Sequence, residues 1–327
     1  MLPLAAEEIA ADISVHGVGV TQRAFSDPDR TNWAGDGPRM VRVTLWYPGD
    51  TGGFEEVAEA DGLRLILHRE SEIARFRERH PLVMLSHGSG GNAAQVGWLG
   101  AHLAEHGFIV AALEHNGTDE EELHRRRPTL TDFFGWERAR DVSVALDGLL
   151  ADPRVGPRID AARIGAAGFS LGGTTALWTA GARLELERLR TRSPPPPPGI
   201  AEAIASLIAF AGTDPVARRS VARSDLSHKD ARIRAVFALA PPMGAGFTAA
   251  GLRTVDVPVL IVVGDADLVA PPETNARHFA AHIPTARLEV VSGERGHYLK
   301  PIATAQRQAE LHEVARMARA FFEAELR

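Results

Sequence analysis

The chain has 327 residues and no cysteine, which excludes disulfides, thiolate metal centres and a cysteine nucleophile together. It also lacks any apolar run near the roughly 20 residues that cross a bilayer, and its start (Met1-Leu2-Pro3-Leu4-Ala5-Ala6) has neither the basic region nor the apolar core of a signal peptide. The expectation is a chain without a transmembrane segment, cytoplasmic by default and secreted or periplasmic if a signal peptide has been removed. Neither sign of charge dominates: 36 basic and 42 acidic residues leave a net charge of −6, and the runs Arg125-Arg126-Arg127 and Arg77-Glu78-Arg79-His80 are short and flanked by acids. Nucleic acid is therefore not an expected partner. Oligomeric state is not legible.

What is present is an alternation of strand-like and helical segments. Residues 41–47 alternate apolar and polar with period two and suit an antiparallel edge strand. Buried strands are predicted at 82–85, 108–113, 164–167, 233–239, 258–263 and 287–291, and helices at 94–106, 132–150, 172–190, 273–282 and 303–325. This order predicts an α/β fold, a mostly parallel central sheet with helices on both faces. The rhythm breaks at residues 183–231, where Pro194 to Pro198 open a long stretch. The chain reads as one domain, 1–327, with a lid or cap inserted there.

Gly168-Phe169-Ser170-Leu171-Gly172 fits G-x-S-x-G, the nucleophile elbow of the α/β-hydrolase fold, and it stands between a short strand and a helix as that motif requires. A serine hydroxyl needs a base to take its proton and an acid to orient the base; in this fold the chain order is Ser, Asp or Glu, His. Beyond the insertion lie His278, His282, His297 and His312; the first two fall in a helical pattern, the last in the C-terminal helix, and His297 in a loop after a strand. His297 is the expected base. The acid should follow the preceding strand, where Gly264-Asp265-Ala266-Asp267 offers two candidates.

The oxyanion needs two backbone N–H donors. Leu171, after the nucleophile, supplies one, and the turn Ser86-His87-Gly88-Ser89-Gly90-Gly91 supplies the other through Ser89. That turn matches neither glycine-rich phosphate pattern. His87, Trp178 and Met243 are the candidate pocket residues; Met243 follows a strand at the sheet end where open α/β folds bind ligands. His102-Leu103-Ala104-Glu105-His106 matches the H-x-x-E-H metalloprotease signature, but it sits on a helix between core strands and ends at Gly107 as an ordinary helix does. Its histidines, like His278 and His282, are read as surface or packing residues, with no metal and no cofactor.

Ser86-His87-Gly88-Ser89-Gly90, residues 106–115 and Gly168-Phe169-Ser170-Leu171-Gly172-Gly173 together resemble the platelet-activating-factor acetylhydrolase (isoform II-like) and dienelactone-hydrolase-related branch of the α/β-hydrolases. The resemblance, over about residues 38–300, implies a cofactor-free serine esterase for short or oxidised acyl chains, with oxyanion donors at Ser89 and Leu171. The chain departs from it twice: no carboxylate follows the strand at 233–239, and the cysteine nucleophile of dienelactone hydrolases is missing. Many α/β-hydrolases place the acid three residues after a strand-ending glycine, ahead of a valine-proline-like turn, and Gly264 to Pro271 then implies Asp267. The resulting expectation is a serine carboxylic-ester hydrolase acting on small-molecule esters through Ser170, Asp267 and His297, with a peptidase or amidase, or a non-catalytic binding protein, as the alternatives.

Overall fold

A computed structural model describes residues 17–50, 54–60, 63–117, 134–191, 198–297 and 304–327. Phe133 and Pro194 to Pro197 lie outside them. Ten strands form one sheet: β1 (Gly17–Thr31), β2 (Pro38–Gly49), β3 (Phe54–Ala60), β4 (Leu63–Arg69), β5 (His80–Ser86), β6 (Ile109–Glu114), β7 (Ile159–Phe169), β8 (Ile233–Leu239), β9 (Val259–Gly264) and β10 (Ala286–Val291), in the order β10-β9-β8-β7-β5-β6-β2-β1-β4-β3. The six strands from β10 to β6 are mutually parallel, and β2 joins β6 antiparallel. Parallel strands covered on both faces read as continuous apolar runs, which is why His80–Ser86 and Val259–Gly264 are buried at every position.

The described helices are α1 (Gly97–Glu105), α2 (Trp136–Ala151), α3 (Leu171–Thr179), α4 (Leu186–Thr191), α5 (Pro198–Thr213), α6 (Pro215–Val221), α7 (Ala276–His282) and α8 (Thr304–Glu325), apart from one short turn of helix after β8. On one face α1 packs with α8, and on the other α2 packs with α3. None of the described helices is long and apolar enough to cross a membrane.

Two expectations need correction. Residues 41–47 belong to β2, which is not an edge, because β1 pairs along its whole outer side and β4 and β3 extend the sheet beyond. The helix expected at 172–190 stops at Thr179: Gly181, at φ 109°, turns the chain, and the Ala182 N–H returns to the Leu177 carbonyl. The inserted stretch contains α4 to α6. Leu207 and Ile204 of α5 are buried, and the Trp136 indole N–H donates 3.0 Å to the Ser220 carbonyl of α6.

Candidate active site

In the sheet order β5 stands between β7, later in the chain, and β6, so the connections from β5 and β7 leave on opposite sides. A crevice opens at the carboxyl ends of strands at such a reversal. The turn after β5 carries Ser86 to Gly91, and the turn after β7 carries Ser170. Ser170 holds φ 53° and ψ −123°, a strained conformation for a residue with a side chain, while its N–H donates 2.8 Å to the Leu239 carbonyl at the end of β8. The flanking glycines are sterically required. A Cβ on Gly172 would stand 2.0 Å from the Ser86 carbonyl oxygen, and one on Gly168 would stand 2.3 Å from the Gly172 backbone. The two turns are thus in backbone contact.

His297 reaches the serine from the loop after β10. Its Nε2 lies 2.9 Å from Ser170 Oγ, and its Nδ1 lies 2.7 Å from Asp267 Oδ2. A carboxylate only accepts, so Nδ1 carries the proton and Nε2 accepts from the serine hydroxyl. Asp267 is buried, and its other oxygen accepts the N–H groups of Val269 at 2.9 Å and Ala270 at 2.8 Å. Burial works against its charge, but the bonds from His297 and from these N–H groups outweigh it and hold the carboxyl below its ordinary range. Ser170 is 8% exposed and the His297 side chain 17%, so the reacting atoms sit just beneath the surface. The structure therefore brings Ser170, His297 and Asp267 into one hydrogen-bonded line.

Leu171 opens α3, where the first N–H groups have no acceptor within the helix. Ser89 lies on the turn that Gly172 touches. Of the three candidate pocket residues, two are wholly buried. Trp178 is wholly buried, its ring tilted at 45° to that of Phe247 with centroids 5.7 Å apart and packed beside Gly135 at the start of α2. His87 is wholly buried beneath the turn, its Nδ1 2.7 Å from the Gly88 carbonyl. Met243 alone stays partly exposed, in a loop after β8 that Thr174 of α3 ties down through the Pro242 carbonyl at 2.9 Å.

Sequence reasoning missed the support beneath the β5 turn. His115 Nε2 lies 3.1 Å from Ser86 Oγ and its Nδ1 3.1 Å from Asp141 Oδ2, all buried. Arg138 donates 2.8 Å to the His87 carbonyl. Asp141 in turn pairs with Arg39 and Arg30, each at 2.7 Å, and these cations hold its carboxyl ionised against burial, well below the ordinary range. Burial pushes the His115 imidazole down to about 4 despite its bond to Asp141. The signal was Arg138 and Asp141 on one face of a predicted helix, invisible without knowing what that face meets.

A protein-family profile described as PET hydrolase-like matches residues 79–204, the segment holding both turns. Cutinase est1 of Thermobifida alba is 34% identical over 115 residues, 35% of this chain and 34% of that protein. Cutinase cut1 of Thermobifida fusca is 32% identical over the same length, 35% of this chain and 32% of its own. The chain thus spans about a third of the length of the curated relatives it matches. A ferulic acid esterase from Streptomyces cinnamoneus superposes with a TM-score of 0.63 at 19% identity, covering 95% of this chain and 91% of the other. The chain has the α/β-hydrolase fold. At the level of that superfamily sequence and comparisons agree; these relatives do not single out the acetylhydrolase branch within the α/β-hydrolases.

Proposed function

We propose that this α/β-hydrolase is a serine carboxylic-ester hydrolase that cleaves small or short-chain esters through an acyl-enzyme. The observation that carries the reading is the line Ser170 Oγ, His297 Nε2, His297 Nδ1, Asp267 Oδ2, with spacings of 2.9 and 2.7 Å. Ser170 Oγ attacks the ester carbonyl while Nε2 takes its proton, and Asp267 stabilises the imidazolium. The N–H groups of Ser89 and Leu171 hold the oxyanion. As the tetrahedral intermediate collapses, Nε2 returns the proton to the departing alcohol, and a water, deprotonated by the same nitrogen, then releases the acid.

Two features favour an ester with an apolar part. Cutinase, PET hydrolase-like and ferulic acid esterase are all names of ester hydrolases. Directly after Asp267 in the chain, Leu268 is 89% and Val269 65% exposed, an apolar rim on the acid's loop on which an acyl or aryl group can rest. The inserted segment 183–231 is proposed as a cap over this end of the sheet, within a single domain.

The test is a panel of p-nitrophenyl esters of increasing acyl length beside aminoacyl anilides, with fluorophosphonate labelling of wild type and Ser170→Ala. Ester turnover, labelling at Ser170 and a loss of at least about a thousandfold in kcat on Ser170→Ala are expected. Anilide turnover exceeding ester turnover makes the chain an amidase; absent labelling makes it a binding protein.

A further inference from the structure

The H-x-x-E-H segment is not absorbed by the ester chemistry, and it lies on α1 and its C-terminal cap, away from Ser170. His102, Glu105 and His106 stand three and four residues apart, so they share one helix face. Their ligand-capable atoms lie within 4.8 Å of one another, His102 buried and the other two half-buried. Tetrahedral Zn²⁺ with ligand bonds of about 2.0 Å sets its donors about 3.3 Å apart, so the cluster is within about 1.5 Å of that geometry before any side chain turns.

Two further observations point the same way. His106 Nδ1 lies 2.7 Å from the His102 carbonyl oxygen, which can only accept. Nδ1 therefore carries the proton in the neutral ring, and the lone pair is on Nε2, the tautomer a metal-binding histidine needs and the outer-shell bond that usually fixes it. Across the seam, His312 of α8 sets its ring edge-on to that of His102, with centroids 5.7 Å apart; the His102 and His106 rings are 4.5 Å apart. Two imidazoles on one tetrahedral zinc have centroids about 5 Å apart, within about 0.5 Å of the His102–His106 spacing. The other i, i+4 pair, His278 and His282, has the same Nδ1 to carbonyl bond at 2.8 Å and rings 4.6 Å apart, but among the described residues no third ligand stands with it as Glu105 does here.

We propose that His102, Glu105 and His106 form a site for a divalent transition cation, Zn²⁺ by its two imidazoles and one carboxylate, in the seam between α1 and α8. This sets aside the packing role read from the sequence, where nothing showed that α8 brings His312 against the motif. The site is structural: all three ligands belong to α1 and its cap, so an ion held there would fasten the last turn of that helix at the point where the chain leaves it for β6.

The test uses the full chain stripped with EDTA and titrated with ZnSO₄ by calorimetry at pH 7.5, with thermal melting in parallel. Wild type should bind one Zn²⁺ per chain in the micromolar range or tighter. Its melting midpoint should rise by about 4 °C at a hundredfold excess over Kd. His106→Gln and Glu105→Gln, both at half-buried positions, should each weaken binding at least about tenfold, and each variant should gain less in melting midpoint from ZnSO₄, measured against its own metal-free melt, than wild type does. His278→Gln and His297→Ala should bind as wild type does, since His297 could itself take zinc. No binding at 100 µM ZnSO₄, equal binding by both ligand variants, or loss of binding in either control overturns the site. None of these readouts depends on ester turnover.

Discussion

Asp265 and Asp267 leave one loop two residues apart and serve different partners. Asp267 Oδ2 receives His297 Nδ1 at 2.7 Å, whereas the Asp265 carboxylate accepts the N–H groups of Arg295 at 2.8 Å and Gly293 at 3.0 Å. Those backbone bonds hold the Asp265 carboxyl below its ordinary range although it is exposed. One aspartate orients the base; the other fastens the loop that carries it.

The two substitutions should therefore differ in kind. Asp267→Asn is expected to leave the urea midpoint little changed and lower kcat by orders of magnitude, since His297 loses the group that fixes its tautomer and stabilises its cation. Asp265→Asn should lower the urea midpoint and leave kcat within a few-fold. Steady-state kinetics and urea melts on both variants check this, and a reversed pattern would move the catalytic role to Asp265.

Gly172→Ala should be among the most damaging single-methyl changes in the chain. The added Cβ meets the Ser86 carbonyl oxygen at 2.0 Å, a backbone atom of β5 that cannot turn aside. Separating the two turns opens the distance between the proposed oxyanion donors, so both stability and kcat should fall, stability by about 3 kcal/mol. A variant that melts as wild type and turns over normally would show that the two turns tolerate separation.

The parallel strands and the elbow were legible because each is local: an apolar run four to seven residues long, or a glycine-framed serine between a strand and a helix. β1 was not, since its charged stretch Asp27-Pro28-Asp29-Arg30 conceals a strand whose polar residues are consumed by ion pairs, Arg30 with Asp27, Glu137 and Asp141. Asp267 could be separated from Asp265 only by family-style spacing. His115, Arg138 and Asp141 escaped because their partners lie 26 to 111 residues away on other elements. The burial of His87 and Trp178 was not legible for the opposite reason: proximity in sequence to a turn or a nucleophile does not say whether a side chain is exposed there.

The inserted segment is tied to the core by polar bonds through α6 and by the apolar contacts of Ile204 and Leu207 through α5. Ser220 of α6 accepts the Trp136 indole N–H and donates 2.6 Å to Glu137, which also receives Arg223 at 2.6 Å, so α6 should be kept. Replacing residues 192–212 with a short glycine-serine linker should change the ratio of hexanoate to acetate p-nitrophenyl ester turnover several-fold while acetate is still cleaved. An unchanged ratio would leave α5 a packing element without a part in selectivity.

The buried His115 makes a pH-dependent contribution to stability whose sign can be worked out. Unfolded, its imidazole titrates near 6.5; folded, burial and the neighbouring Arg138 lower it to about 4. Between those values the unfolded chain binds the proton and the folded chain does not, so stability falls as pH drops from 6.5 towards 4 and the loss is complete below that. At pH 5 the loss from this residue is on the order of 2 kcal/mol relative to pH 7.5. His115→Gln has no proton to take up. It should be less stable than wild type at pH 7.5, because Asp141 and Ser86 lose a fitted partner, and should lose less than wild type on going to pH 5. Urea unfolding of both proteins at the two pH values measures the difference of differences, which cancels the shared response of His80, His87 and His228, each also lowered mainly by burial. Equal losses in the two proteins would mean that His115 is protonated in the folded state, and that Asp141, rather than burial, governs its charge.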